Sequence, residues 1–159
     1  MTTLREHDTA PEFELLDATG TTWRLADFAG SKVIIYFYPA ALTPGCTIEA
    51  VDFTTRRGAF ADAGYAIVGI SPDSPEKLAR FVANKSLTVA LLSDPDRTVI
   101  DAYGAWGTKM MYGKEMHGVI RSTFVVDVDG DGHGTVVKAM YNVKAAGHVE
   151  RLARDLGVA

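Results

Sequence analysis

The sequence lacks three features that would direct it to a membrane, to nucleic acid or to secretion. Its longest apolar run, at 33–42, has ten residues, whereas a membrane-spanning helix needs roughly 20. Its basic residues never form a run longer than the pair at 56–57, and the net charge is −4. A phosphate-binding stripe is therefore absent, and we expect neither a membrane nor a nucleic acid as partner. The first 13 residues have no apolar core behind a positive start and do not resemble a signal peptide.

Cysteine is nearly absent as well. The one cysteine, Cys46, excludes an internal disulfide, and together with the missing signal peptide it predicts a reducing, cytoplasmic setting. The four histidines, at positions 7, 117, 133 and 148, lack the short spacings of a metal site. The segment 127–132 begins like a calcium-binding loop, but Lys138 stands where the bidentate carboxylate belongs. We therefore interpret this segment as a hairpin turn and expect neither a metal nor another cofactor.

The sequence does contain the material for one well-packed domain over residues 1–159. With a mass of 17.1 kDa, 47% hydrophobic and 23% charged residues, it can bury about 70% of its extended surface without a metal or a disulfide. A mean hydropathy of +0.05 is compatible with a monomer or a homodimer.

Hydrophobic patterns predict an α/β fold with a central mixed β-sheet flanked by helices. Alternating residues around a turn predict an N-terminal β-hairpin, and an unbroken apolar run at 33–38 predicts a strand buried on both faces. Helices are predicted at 46–63, 74–84, 96–103 and 148–156, and strands at 12–16, 21–25, 33–38, 65–70, 88–92, 121–128 and 134–141. Residues 105–119 are predicted to form a long loop, of a length that is usually functional or mobile. The alternation of strands and helices favours this fold class.

Cys46 follows the buried strand by eight residues and stands at the predicted start of a helix. A helix N-terminus carries about half a positive charge and unpaired N–H groups, which can lower a cysteine pKa from about 8.5 to roughly 3.5–7.5. Two interpretations are open: a small buried hydrophobic residue, or an activated nucleophile. The neighbours favour the nucleophile, because Pro39 and Pro44 stiffen the loop and leave N–H groups such as that of Gly45 free for a small polar ligand. Thr43 can accept a hydrogen bond from a substrate or donate one to the thiolate.

A resemblance to a known family becomes visible around this cysteine. The run 36–49 reads YFYPAALTPGCTIE and resembles the active-site signature of peroxiredoxins, P-x-x-x-T-x-x-C, in the form found in the Q-type subfamily, also called bacterioferritin comigratory protein. Further segments are similar to that subfamily in order and spacing, namely 52–53, 68–73, 91–96, 106–107 with Lys109, 111–114 and 118–124. The resemblance implies a thioredoxin-like fold and a thiol peroxidase that acts on hydrogen peroxide and organic hydroperoxides.

The same resemblance implies roles for individual residues. Cys46 corresponds to the nucleophile that attacks the peroxide, and Pro39 shields it from water. Thr43 bonds the peroxide, and Arg121 completes the pocket. A thiolate attacking an O–O bond needs its own charge stabilised and donors for the departing oxygen, and an arginine supplies fixed donors with a permanent charge. Glu49 either orients Arg121 or is a first-turn carboxylate favoured by the helix dipole.

The chain departs from the Q-type pattern at Val51. Many members carry a second cysteine five residues after the first, and here that position is Val51. The resemblance then implies a one-cysteine cycle, in which an outside thiol reduces a sulfenic acid at Cys46. That thiol belongs to thioredoxin, to a low-molecular-weight thiol with a glutaredoxin-like protein, or to a second subunit. A peroxide sensor or redox relay on the same fold, and an engineered form of a two-cysteine peroxidase, stay open as alternatives. The missing C-x-x-C pair disfavours a thioredoxin-like disulfide-exchange protein.

One apolar segment inside the predicted loop has two interpretations. Trp106, Met110, Met111 and Tyr112 form either a hydrophobic rim for a substrate or partner, or ordinary loop packing. Both interpretations stay open on the sequence.

Overall fold

A seven-stranded mixed sheet forms the centre of the fold in the computed structural model, which describes residues 3–158. Its strands are β1 (Glu14–Asp17), β2 (Thr22–Arg24), β3 (Lys32–Phe37), β4 (Tyr65–Ser71), β5 (Ala90–Ser93), β8 (Ser122–Val128) and β9 (Gly134–Met140), while β6 (Trp106–Met111) and β7 (Lys114–Val119) pair outside it. The order across the sheet is β2-β1-β5-β4-β3-β8-β9. Strands β3, β4 and β5 are parallel and the other neighbours are antiparallel. The predicted mixed α/β fold with an N-terminal hairpin is confirmed.

Four α-helices accompany the sheet within residues 3–158, together with a 3-10 turn at Leu25–Phe28. They are α1 (Pro44–Asp62), α2 (Pro75–Lys85), α3 (Thr98–Ala102) and α4 (His148–Asp155), and each lies within two residues of its predicted bounds. Both α1 and α2 begin with a proline, whose fixed φ suits the first helical position. In this part of the chain, no helix has both the length and the apolar character that crossing a membrane requires.

Strand β3 separates two apolar cores. Side chains alternate across a strand, so Ile34 and Tyr36 lie in the core that also contains residues of α1. Val33, Ile35 and Phe37 lie in the core on the other face. Strand β4 pairs with one edge of β3 and β8 with the other, and these five side chains are fully buried. The prediction of a strand buried on both faces is confirmed.

Aspartate side chains organise two predicted turns. Asp17 Oδ1 accepts a hydrogen bond from the N–H of Thr19 at 2.8 Å, in the turn of the N-terminal hairpin. Asp129 Oδ1 accepts bonds from the N–H groups of Asp131 and His133, each at 2.9 Å. The segment that begins like a calcium-binding loop is thus the turn between β8 and β9, as predicted.

The prediction of a long loop at 105–119 is wrong, because most of this segment is a β-hairpin. Strands β6 and β7 pair from Trp106↔Val119 to Met111↔Lys114. Tyr112 and Gly113 connect them with φ values of 53° and 76°, and a positive φ at both turn positions is typical of a two-residue hairpin turn. Strand β7 is exposed along most of its length on both faces, so no apolar alternation marks it in the sequence.

Candidate functional site

Cys46 is the third residue of α1 and belongs to the apolar core. It is 1% exposed and lies in the same cluster as Ala50 and Phe53 from the inner face of the helix. The N–H of Thr47 donates to the carbonyl of Thr43 at 2.9 Å, which closes the first turn around the cysteine. The thiol therefore lies at the positive end of the helix dipole, where backbone N–H groups lack intrahelical partners.

Arg121 reaches this thiol from the neighbouring strand. Strand β8 runs antiparallel to β3 with Phe37 opposite Ser122, so the residue before β8 lies at the end of β3 that leads into α1. Arg121 Nη2 is 3.5 Å from Cys46 Sγ, and Nη1 donates to Glu49 Oε1 at 2.7 Å. One guanidinium thus connects two residues of α1, the cysteine and the glutamate one turn later.

Gly45 makes room for this guanidinium. A Cβ built on Gly45 would lie 3.2 Å from Arg121 Nη2, tighter than nearly all real Cβ contacts. Gly45 lies inside α1 and is not among the residues with positive φ, so its backbone does not require glycine. The sequence argument assigned Gly45 a free N–H group, and the structure adds that its missing side chain allows Arg121 to approach the thiol.

The Glu49–Arg121 ion pair is buried. The Glu49 side chain is fully buried and that of Arg121 is 16% exposed. Burial raises the pKa of Glu49 to about 7, although Arg121 opposes the shift. Burial acts to lower the pKa of Arg121, but the charges of Glu49 and Cys46 outweigh it and leave that pKa raised. The arginine therefore stays charged beside the thiol, while the glutamate titrates near neutrality. Glu49 Oε2 is buried without a hydrogen-bond partner among the described residues.

Thr43 and Pro39 lie on the loop that precedes α1. The Thr43 hydroxyl is exposed and donates to the carbonyl of Ala40 at 2.6 Å, so its proton is engaged, while no group within residues 3–158 donates a hydrogen bond to its oxygen. This geometry favours the option in which Thr43 accepts a hydrogen bond from a substrate rather than donating one to the thiolate. Pro39 lies two residues after the end of β3 and is half-buried.

Asp73 holds the same loop, and the sequence argument gave it no role. Its Oδ2 accepts the N–H of Ala41 at 2.7 Å and the hydroxyl of Ser71 at 2.8 Å, and its Oδ1 pairs with Lys77 Nζ at 3.0 Å. These contacts connect the loop before α1 to the end of β4 and the start of α2. The segment 68–73 was noted only as part of the family resemblance, and its contact with the loop depends on tertiary structure.

His148 supports α1 from behind. Its Nε2 is 2.8 Å from the Thr123 hydroxyl, and its ring meets the edge of Phe53 with centroids 6.5 Å apart. Burial, together with the charges of Arg151 and Arg121, lowers the pKa of His148 to about 4. A neutral imidazole therefore connects the start of α4 to β8 and to the inner face of α1.

The remaining residues singled out in the sequence lie on α1 and on the β6–β7 hairpin. Val51, where many Q-type proteins carry their second cysteine, is 36% exposed on α1. Trp106 is half-buried under Arg97, whose guanidinium lies 4.1 Å from the ring centroid, whereas Met110 and Tyr112 are largely exposed. The side chain of Met111 lies outside the described part of the chain. Trp106 is thus packed, and the exposed apolar residues belong to the outer end of the hairpin.

A buried thiol in the first turn of a helix, held by an arginine–glutamate pair beside a mixed sheet, defines a cysteine-based redox enzyme. Residues 7–131 match the AhpC/TSA family, and the chain belongs to that family, the peroxiredoxins. It is 59% identical to a putative peroxiredoxin of Mycobacterium tuberculosis over 157 residues, which cover 99% of this chain and 98% of the other. It is 43% identical to the peroxiredoxin Bcp of Escherichia coli over 130 residues, covering 82% and 83%.

A solved structure supports the same conclusion. The bacterioferritin comigratory protein of Xanthomonas campestris superposes with a TM-score of 0.81 at 36% identity, covering 91% of this chain and 90% of the other. The resemblance to the Q-type peroxiredoxins and the thioredoxin-like fold are thereby confirmed. The protein is a thiol-dependent peroxidase of this group in which Cys46 is the single cysteine.

Proposed function

We propose that this peroxidase reduces hydrogen peroxide and organic hydroperoxides through a one-cysteine cycle centred on Cys46. The observation that carries the proposal is the Arg121 guanidinium, which is shared between Cys46 Sγ and Glu49. A fixed positive charge beside sulfur favours the thiolate, which is the nucleophilic form. The Xanthomonas relative is described as reducing alkyl peroxides, which supports organic hydroperoxides as substrates.

In the oxidative step, the Cys46 thiolate attacks one oxygen of ROOH. The S–O bond forms as the O–O bond breaks, so sulfur loses two electrons, the peroxide gains them, and Cys46 becomes a sulfenic acid. The departing RO⁻ takes up a proton and leaves as ROH. Arg121 stabilises the negative charge that moves from sulfur to the leaving oxygen, the Thr43 hydroxyl oxygen accepts a hydrogen bond from the peroxide O–H, and Pro39 limits access of water. Gly45 contributes its N–H group and the space for Arg121.

In the reductive step, an external thiol R′SH attacks the sulfenic sulfur, releasing water and forming a mixed disulfide. A second thiol then restores the Cys46 thiol and releases the external disulfide. The sequence has no second cysteine and carries Val51 at the usual position, which supports resolution by thioredoxin, a glutaredoxin-like protein or a low-molecular-weight thiol. Such reductants are abundant in a reducing compartment, so we infer that the enzyme works in the cytoplasm.

The test is stopped-flow oxidation of the reduced protein with stoichiometric peroxide, with the product trapped by a sulfenate-specific reagent and identified by mass. We expect loss of the thiol much faster than in free cysteine, and a rate reduced about 100-fold or more by Arg121→Ala. Arg80→Ala, on the exposed face of α2, is the matched control. Oxidation no faster than free cysteine would contradict the proposal. Rapid formation of the sulfenic acid without sustained peroxide consumption by any of the three reductants would favour the sensor alternative.

A further inference from the structure

The loop between β3 and α1 contains a residue in a strained backbone conformation. Leu42 has a φ of 67°, in the left-handed region that residues with a Cβ seldom adopt. Its side chain is 39% exposed, so packing of that side chain offsets little of the strain. Such a conformation persists only where the surrounding structure holds it. The contacts of the neighbouring residues therefore determine the shape of this loop.

One hydrogen bond holds the loop on each side of Leu42. Before it, the N–H of Ala41 donates to Asp73 Oδ2 at 2.7 Å. After it, the Thr43 hydroxyl donates to the carbonyl of Ala40 at 2.6 Å. The second bond stays within the loop, whereas the first attaches the loop to the segment that follows β4. Asp73 thus fixes the strained turn from outside.

Asp73 is itself held in place by three other elements. Its Oδ2 also accepts the hydroxyl of Ser71, the last residue of β4, at 2.8 Å. Its Oδ1 pairs with Nζ of Lys77 in α2 at 3.0 Å. Its backbone carbonyl accepts the hydroxyl of Ser93, the last residue of β5, at 2.6 Å. The buried carboxylate is therefore positioned independently of the loop that it holds.

The loop and Arg121 approach Cys46 from different elements. Arg121 precedes β8, with Nη2 at 3.5 Å from Cys46 Sγ and Nη1 bonded to Glu49. These contacts do not pass through the loop. Thr43, by contrast, is both a loop residue and the N-cap of α1. A shift of the loop would move the Thr43 oxygen relative to the sulfur and leave the guanidinium beside the thiol.

We propose that Asp73 is a positioning residue for peroxide reduction, which places the Thr43 hydroxyl through its hydrogen bond to Ala41. The inference rests on the proposed peroxidase cycle, in which the Thr43 oxygen accepts a hydrogen bond from the peroxide. Asp73 acts on the loop and not on the reacting atoms. It should therefore affect how fast the thiolate reacts with peroxide, but not how readily the thiolate forms.

The experiment measures the second-order rate constant for oxidation of Cys46 by hydrogen peroxide as a function of pH. We expect Asp73→Ala to lower this rate constant about five- to twentyfold without moving the midpoint of its pH profile, because Arg121 still lies beside the thiol. Asp73→Asn retains an oxygen that can accept the N–H of Ala41 and should keep most of the rate. Should Asp73→Ala fail to fold, Asp73→Ser, whose shorter hydroxyl cannot reach Ala41, replaces it with the same expected loss.

A double-mutant cycle tests whether Asp73 acts through Thr43. Thr43→Val removes the accepting oxygen at nearly constant volume and should itself slow the oxidation. In that background, the further loss caused by Asp73→Ala should be less than about twofold, because no oxygen is left to position. A merely structural aspartate would give the same loss in both backgrounds.

Asp101→Ala, on the exposed side of α3, is the matched control and should leave the rate constant unchanged. An unchanged rate in Asp73→Ala, an equal loss in Asp73→Asn, a displaced pH midpoint or equal losses in the two backgrounds would each overturn the inference. If the natural protein is oxidised no faster than free cysteine, the proposed cycle itself fails. The rate constant of the natural protein thus distinguishes the two failures.

Discussion

Replacing Glu49 with glutamine should change how the stability of the protein depends on pH. Glutamine keeps the shape and a carbonyl oxygen for Arg121 Nη1 but cannot titrate. In the natural protein, burial raises the pKa of Glu49 from its ordinary value of 4.5 to about 7. The folded state therefore holds this proton more tightly than the unfolded chain does. A raised pKa contributes stability that is fully present below pH 4.5 and is lost as the pH rises to about 7.

The size of this contribution follows from the two pKa values. A rise from 4.5 to about 7 corresponds to about 3 kcal/mol, a large share of the roughly 5–15 kcal/mol that stabilises a typical domain. The natural protein should therefore lose about 3 kcal/mol relative to Glu49→Gln between these pH values. With a urea m-value of about 2 kcal/mol/M, the two midpoints should move relative to each other by roughly 1–2 M.

Because His148 titrates over the same pH range, the natural protein must be compared with Glu49→Gln rather than followed alone. Its pKa is lowered from 6.5 to about 4, so its contribution is present above pH 6.5 and is lost as the pH falls to about 4. In the natural protein, this change opposes that of Glu49 over much of the same range. The total stability is therefore a poor measure of either group, whereas the difference between the natural protein and Glu49→Gln isolates the glutamate.

The assay is urea unfolding of the reduced protein from pH 4 to 8, followed by circular dichroism, for the natural protein and Glu49→Gln. Glu12→Gln, an exposed carboxylate before β1, is the control and should give a curve parallel to that of the natural protein. Parallel curves for the natural protein and Glu49→Gln would refute the reasoning, because they would show that the buried glutamate binds its proton no more tightly than the unfolded chain. A difference of opposite sign would show that attraction to Arg121 outweighs burial.

Three further changes test separate parts of the site. His148→Gln can still bond Thr123 but cannot titrate, so it should remove the loss of about 3 kcal/mol in unfolding free energy expected as the pH falls from 6.5 to about 4. Urea midpoints that depend on pH as steeply as those of the natural protein would contradict this. Gly45→Ala should keep the fold but displace Arg121, slowing oxidation of the thiol about three- to tenfold in stopped flow; an unchanged rate would show that the guanidinium has room. Asp73→Ala should cost about 2–3 kcal/mol in urea unfolding, because it leaves a buried N–H without its acceptor; a loss under 1 kcal/mol would show that water replaces the carboxylate.

The sequence predicts best what depends on neighbours along the chain. Strand β3 is marked by its continuous apolar run, and α1 by its spaced apolar residues and Gly64 after its end, so both are placed within two residues. The position of Cys46 in the first turn follows from these two elements. Family resemblance supplied Arg121, which is separated from Cys46 by 75 positions. No hydrophobic period indicates a contact of that kind, because it depends on the antiparallel register of β3 and β8.

The sequence could not predict contacts that depend on strand register or on the tertiary arrangement of distant residues. The β6–β7 hairpin was missed because its strands pack against little of the core, although Tyr112 and Gly113 mark its turn. Asp73 was likewise missed, because its contact with the loop before α1 joins residues 32 positions apart.

The absence of a second cysteine in α1 has a mechanical consequence under the proposed cycle. Residues 46 and 51 are five positions apart, so in an intact helix they are separated by about 7.5 Å of rise alone. A disulfide requires Cα atoms within about 7 Å, and a cysteine at position 51 could therefore reach Cys46 only after this part of α1 unwound. Unwinding would break the Glu49–Arg121 pair and expose a residue buried in the core. With Val51, the proposed cycle forms no disulfide within α1 and does not require this unwinding.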